Sequence, residues 1–236
     1  WFPDSFYAFV AGNALSIGLI GAIFAGPPLR LLIEVFGWRV IILSSGLFTL
    51  MLGAVIWLVV RDWPQERGYK GFKQRPKTSQ RIRLQDILIN MRSVLNYRNT
   101  RLFLVIPGSI VGAIITFSGL WGVPYLTTHY PFSPAQAATL TALLLAGWAV
   151  GGPVFGGLSG RFNSRKPLYI AGAAGVTAGW YCILFIQGLG YVQLAAILMA
   201  TGFFSGCIII SFPFAVDSVP GHLSGTVSGL TNMGLM

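Results

Sequence analysis

The stretch LFLVIPGSIVGAIITFSGLWGVPYLTTHYPFSPAQAATLTALLLAGWAVGGPVFGGLSG, residues 102–160, contains no Asp, Glu, Lys or Arg over 59 positions. Residues 167–216 form a second uncharged stretch, of 50. A helix crosses a bilayer with about 20 apolar residues, so each stretch holds two crossings joined by a short turn. The turns read as Thr127–Pro134 in the first and Gln187–Gly190 in the second. Upstream, 40–60 is a further uncharged run, and 5–29 precedes it, broken near its end by Pro27-Pro28. Six spans follow, at 6–29, 40–60, 102–126, 135–159, 168–187 and 192–216, with a seventh starting near Gly225.

Composition agrees. Of 236 residues, 54% are hydrophobic and only 9% charged, and mean hydropathy is +0.71. A water-facing surface needs roughly a quarter of residues charged, so the expected class is an all-α polytopic membrane protein. Cys182 and Cys207 lie inside apolar runs, against a disulfide framework.

The net charge of +10 is unevenly spread. Eleven of the sixteen Lys and Arg lie between Arg61 and Arg101, and three more are Arg161, Arg165 and Lys166. Only Arg30 and Arg39 fall on the other side. Basic loops stay in the cytoplasm, so the linker 62–101 and the loop 161–166 are expected there, beside anionic headgroups. That lipid contact accounts for the charge without nucleic acid. Expected localisation is a plasma membrane or bacterial inner membrane. Within the linker, Leu84, Ile87, Leu88, Met91, Val94 and Leu95 have helical spacing. They describe an amphipathic helix that either lies along the inner leaflet or docks on other cytoplasmic segments.

The opening Trp1-Phe2-Pro3 and the unfinished apolar segment at Met236 suggest a piece of a longer polytopic chain. A shift of 217 residues pairs Pro3 with Pro220, Ala8 with Gly225, Val10 with Val227, Ala11 with Ser228 and Gly12 with Gly229. Internal repeats recur in secondary transporters.

Four features together resemble the major facilitator superfamily over essentially the whole length. Gly156-Gly-Leu-Ser-Gly-Arg161-Phe-Asn-Ser-Arg165-Lys166-Pro-Leu168 is similar to its loop signature G-x-L-x-D-R-x-G-R-R, with Gly160, Asn163 and Ser164 departing from it. Gly18, Gly21, Ala22, Gly26 and Pro27, then Gly37-Trp38-Arg39, resemble its fifth helix and the following turn. Asn13 and Ala22 stand at two glycine positions of its antiporter motif, so the likeness does not extend to drug export. The basic linker sits where the family joins its halves, and Phe214–Pro220 with Gly225 and Gly229 resembles the join of helices 10 and 11. The resemblance implies a two-bundle helical transporter fold: 1–61 as the last two helices of the N-terminal bundle, 62–101 as the linker, and 102–236 as helices 7–10 and the start of 11. It implies a monomer at full length.

Function follows as expectation: secondary active transport of a small solute by alternating access, coupled to a proton or cation. A transporter-like sensor signalling through the linker is the alternative; a channel would show unsaturable flux. Substrate-cavity candidates are Thr116, Ser118, Trp121 and Tyr125 on the third span and Thr201, Phe204 and Ser205 on the sixth, since the resemblance makes these helices 7 and 10. Trp121 and Tyr125 fit an interfacial aromatic belt equally well. Asn13 and Gln136 sit nearer span ends and are weaker candidates.

Gly156, Arg161, Arg165, Lys166 and Asp217 are candidates for a cytoplasmic gate in which Arg161 or Arg165 pairs with Asp217; plain topology-fixing charge is the other reading. Glycines four apart (Gly108/Gly112, Gly147/Gly151, Gly152/Gly156, Gly175/Gly179, Gly202/Gly206) serve either static packing or sliding. No ionisable side chain lies well inside a span, so the solute is neutral or the coupling residues lie in helices outside this stretch. His129 and His222 are too far apart to be co-ligands. No enzyme, metal, cofactor or nucleotide is expected, the last because no Walker-type loop occurs.

Overall fold

The computed structural model describes residues 6–24, 27–61, 64–69, 84–161 and 165–235. Helices account for nearly all of them, and no strand occurs among the described residues. By contacts the chain forms two compact units, one drawn from residues 1–4 and 21–80, the other from 5–20 and 81–236.

In the first unit, α2 (Pro27–Phe36) and α3 (Trp38–Val59) meet at Gly37. Its φ of 79° is one that side-chain-bearing residues rarely adopt, which explains the Gly in Gly37-Trp38-Arg39. The C-terminal carbonyls of α3 are capped by cations. Arg67 Nη2 donates to the Val59 carbonyl at 2.8 Å, and Arg61 Nη1 donates to Val60 at 3.0 Å and Trp57 at 3.2 Å. Cations suit a helix C-terminus.

The first expected span, 6–29, is corrected. Its helix α1 runs Tyr7–Phe24, 18 residues. Pro27 and Pro28 instead begin α2, where a missing N–H at the first turn costs nothing. The basic run 70–83 lies outside the described residues.

The second unit carries the remaining helices: α4 (Leu84–Leu95), α5 (Arg98–Phe103), α6 (Ile106–Thr116), a π-turn at Phe117–Trp121, and α7 (Gly122–His129). Then come α8 (Pro134–Arg161), α9 (Arg165–Phe185), α10 (Tyr191–Ser205), a 3-10 turn at Gly206–Ile210, α11 (Ser211–Asp217) and α12 (Ser224–Met233). Taken as continuous rods, Trp38–Val59, Arg98–His129, Pro134–Arg161, Arg165–Phe185 and Tyr191–Asp217 are long and apolar enough to cross a membrane; Ala8–Phe24 is apolar but shorter. The 3-10 and π segments inside two of these rods have no signature in hydropathy.

α8 starts with a capping box. Ser133 N donates to Gln136 Oε1 at 2.9 Å and Gln136 N to Ser133 Oγ at 3.3 Å, so Gln136 is occupied as a cap. The turn before α10 contains Gly188 at φ 75°, inside the expected 187–190. The amphipathic linker helix is α4: Val94 is fully buried, α4 packs on α12 and α5, and Ile87, Leu88 and Ile89 are exposed.

Candidate functional site

At the end of the second unit where α8 stops and α9 begins, Arg165 Nη2 lies 3.1 Å from Asp217 Oδ2. Arg165 is 23% exposed and Asp217 57%. Arg161 and Lys166 are exposed and take part in no ion pair among the described residues. The two helices that carry the pair, α9 and α11, also share an aromatic triad. Phe103 meets Tyr169, one turn past Arg165, at a ring distance of 5.9 Å, and Phe214, three residues before Asp217, at 5.2 Å, both edge-on.

A second clasp adjoins the first. Asn99 Nδ2 donates to Ser218 Oγ at 2.8 Å, and that hydroxyl donates to the Phe214 carbonyl at 2.7 Å. The end of α11 is therefore held from α9 through Asp217 and from α5 through Ser218. Asn99 belongs to no motif, and Ser218, although inside the Phe214–Pro220 stretch, carries no chemistry that singles it out, so sequence reasoning missed the contact.

The cavity candidates separate into two groups. On α10, Thr201 and Ser205 are fully buried, and their hydroxyls donate to their own helix, at Ile197 (2.7 Å) and Thr201 (2.7 Å). Thr201 and Phe204 fill the notches left by Gly179 and Gly175 of α9, and Cys207 fills that of Gly172. These side chains are committed to helix packing.

The third-span group is different. Thr116 and Trp121 are exposed, and among the described residues Ser118 makes only a long 3.5 Å bond to the Ile115 carbonyl. Tyr125 donates to the Ile183 carbonyl at 3.0 Å and stacks on His129 at 4.4 Å, and His129 Nδ1 lies 3.0 Å from the Tyr125 carbonyl. Phe117, Trp121, Pro124, Tyr125, Thr128, His129 and Leu184 line a groove of about 320 Å³. It opens where the helix widens into its π-turn, a distortion common at functional sites. Asn13 Nδ2 donates to the Phe9 carbonyl of its own helix at 2.9 Å and makes no other side-chain bond among the described residues.

α1 crosses α8 at three levels: Ala8 on Gly156, Gly12 on Gly152, and Ser16 on Ala149. A Cβ added to Gly156 would stand 2.5 Å from the Ala8 carbonyl oxygen, and one on Gly12 would stand 2.6 Å from that of Gly152. The third level has a chemical cause. Pro153 lies inside α8 and has no N–H, so the Ala149 carbonyl four residues earlier loses its helical donor. The Ser16 hydroxyl lies 2.5 Å from that oxygen and 2.9 Å from Gly12's own carbonyl. In a bilayer core an orphaned carbonyl costs several kcal/mol, so Ser16 on α1 repairs what Pro153 breaks in α8. The signal was available, since Pro at position i implies a free carbonyl at i−4.

Among the described residues no three His, Cys, Asp or Glu side chains gather to hold a metal ion. Compared with known proteins, the chain matches the family model described as Major Facilitator Superfamily over residues 1–236. No curated protein and no solved structure matches it.

Proposed function

Since the chain belongs to the major facilitator superfamily and so to the integral membrane transporters, we propose that it moves a small solute by alternating access, driven by a coupled proton or cation. The observation that carries this is the pair Arg165–Asp217 at 3.1 Å. It joins α9 to the end of α11, and with Asp217 more than half exposed it is worth roughly 0–1 kcal/mol. A contact that weak, beside buried packing, behaves as a latch that solute or ion binding can open.

In this reading the linker 62–101 and the loop 161–166 face the cytoplasm, Gly156 lets α1 cross α8 closely, and Arg161 and Lys166 hold that loop at the headgroups. Trp121, Tyr125, Thr116 and Ser118 contribute to the solute path from the π-turn. Thr201, Phe204 and Ser205 support it by fixing α10. Helices outside this stretch complete the path and carry the coupling group, and the protein works as a monomer.

The test is accumulation. Proteoliposomes under an imposed proton or cation gradient should concentrate solute; uptake that only equilibrates, or that never saturates, rejects coupled transport. The docking of α4 on α12 favours one second reading, a sensor that passes solute binding to the linker. A sensor would bind solute without accumulating it.

A further inference from the structure

The loop motif supplies two arginines, and Asp217 takes only Arg165. Arg161, the last residue of α8, is exposed and stands at the mouth of a groove of about 650 Å³. The groove runs between the start of α1 and the last turns of α8, walled by Phe6 and Phe9 on one side and Pro153, Val154 and Leu158 on the other. Arg161 is the one charged side chain among its described lining residues. Gly156 and Gly157 leave the floor without side chains.

Along α8 the distance from Pro153 to Arg161 is about 12 Å at 1.5 Å per residue. Half of a hydrocarbon core about 30 Å thick is about 15 Å. The groove therefore has the depth of one leaflet, apolar at the bottom and cationic at the rim.

We propose that this groove is a binding site for an anionic phospholipid of the inner leaflet. One acyl chain lies between the Phe6–Phe9 wall and the Val154–Leu158 wall, and the phosphate meets the Arg161 guanidinium. A guanidinium binds phosphate through paired N–H donors, and Arg161 has no acid partner among the described residues. Charge complementarity selects an anionic lipid over a zwitterionic one, and the apolar walls select a lipid over a soluble phosphate. The proposal rests on the cytoplasmic placement of residue 161 given above. Its test reads binding alone, so it stands or falls apart from transport.

Native mass spectrometry of the full chain, delipidated and titrated with dioleoyl phosphatidylglycerol or phosphatidylcholine, provides the measurement. Phosphatidylglycerol should be retained as one tight adduct, with Arg161→Gln weakening it by about tenfold and Arg161→Lys by less. Gly157→Leu should also lose it with Arg161 intact. A Cβ at Gly157 meets only Phe9, at an ordinary 3.6 Å, so this variant fills the groove without straining the fold. Arg92→Gln, on the linker helix, should leave the adduct unchanged. Retention equal to wild type in both Arg161→Gln and Gly157→Leu would overturn the proposal. So would equal binding of phosphatidylcholine, or displacement of the lipid by glycerol phosphate at the same concentration.

Discussion

α8 is flanked by two helices that meet it in different ways. On the α10 side, a methyl group at Gly147, Gly151, Gly202 or Gly206 would be driven into the backbone of the opposite helix. α10 is held from its other side as well, since Thr201, Phe204 and Cys207 plug glycine notches on α9. On the α1 side the backbones also meet, but less closely: a Cβ at Gly156, Gly12 or Gly152 would stand 2.5, 2.6 or 3.2 Å from the opposing carbonyl oxygen, against 1.9 to 2.2 Å from the nearest backbone atom across the α10 seam. The polar tie there, among the described residues, is Ser16 to Ala149.

Both seams are built of small residues four apart, so spacing alone does not separate a fixed contact from a movable one. How closely the backbones approach, and whether the helix is also plugged from its other side, does. We expect α8, α9 and α10 to move together and α1 to shift against α8.

The largest effect should come from the fixed seam. Gly202→Leu has no space to relax into, and overpacking of this kind costs about 3 kcal/mol or more; the yield of folded protein after mild detergent extraction should collapse. Gly152→Ala is the counterpart on the α1 seam, where a Cβ would stand 3.2 Å from the Gly12 carbonyl oxygen, against 1.9 Å from the Leu144 carbonyl oxygen for one at Gly202. It should leave a folded, monodisperse protein whose rate of solute accumulation is nevertheless reduced. If the two variants were equally folded or equally lost, the distinction between the seams would fail.

Next in size is the latch. Asp217→Arg should impair transport, and combining it with Arg165→Asp should restore much of it, whereas Arg161→Asp should not. Rescue by Arg161→Asp instead would mean that the pair exchanges partners during the cycle.

Smaller again is the repaired carbonyl. Ser16→Ala should lower stability by about 1 kcal/mol, the scale of interhelical hydrogen bonds in membranes. In a Pro153→Ala background, where the substituted residue supplies the N–H that the Ala149 carbonyl lacks, that cost should largely vanish. Equal costs in both backgrounds, measured as a double-mutant cycle, would sink the explanation. The smallest effect belongs to Asn99→Ala, which removes one clasp of Ser218 while Arg165–Asp217 remains; a slightly faster opening of that end is expected, seen as quicker thiol labelling at Val219→Cys.

The legibility of the sequence divides along physical lines. Spans were visible because burial in lipid demands long uncharged runs. Three of the expected segments lie within helical rods that extend only a few residues beyond them, as 135–159 does within Pro134–Arg161. The first was overextended because hydropathy cannot distinguish an apolar run that ends at Phe24 from one carried past a Pro-Pro step. A polar residue's partner was legible only where a rule fixes it. Ser133 and Gln136 follow the capping box, and Arg165 with Asp217 was one of two pairings the loop motif suggested. The role of that pair is still a proposal.

The burial of Thr201 against Gly179 and of Ser205 bonded to its own helix was hidden, because hydroxyls four apart look the same whether they face a cavity or a packed helix. Asn99 with Ser218 joins residues 119 positions apart, and no local pattern encodes such a contact. The π-turn at Phe117–Trp121 likewise has no compositional mark, although Ser118 and Trp121 within it and Tyr125 beyond it were singled out for their chemistry.

The most direct measurement is a pair of spin-label distances on the full protein in nanodiscs, with and without solute under a gradient. One pair joins Phe6, the residue before α1, to Lys166 on α9; the other joins Ala135 on α8 to Val192 on α10, and all four sites are exposed. The account predicts that the first distance distribution shifts or splits while the second stays fixed. Movement in the second pair, or none in the first during active accumulation, would contradict it.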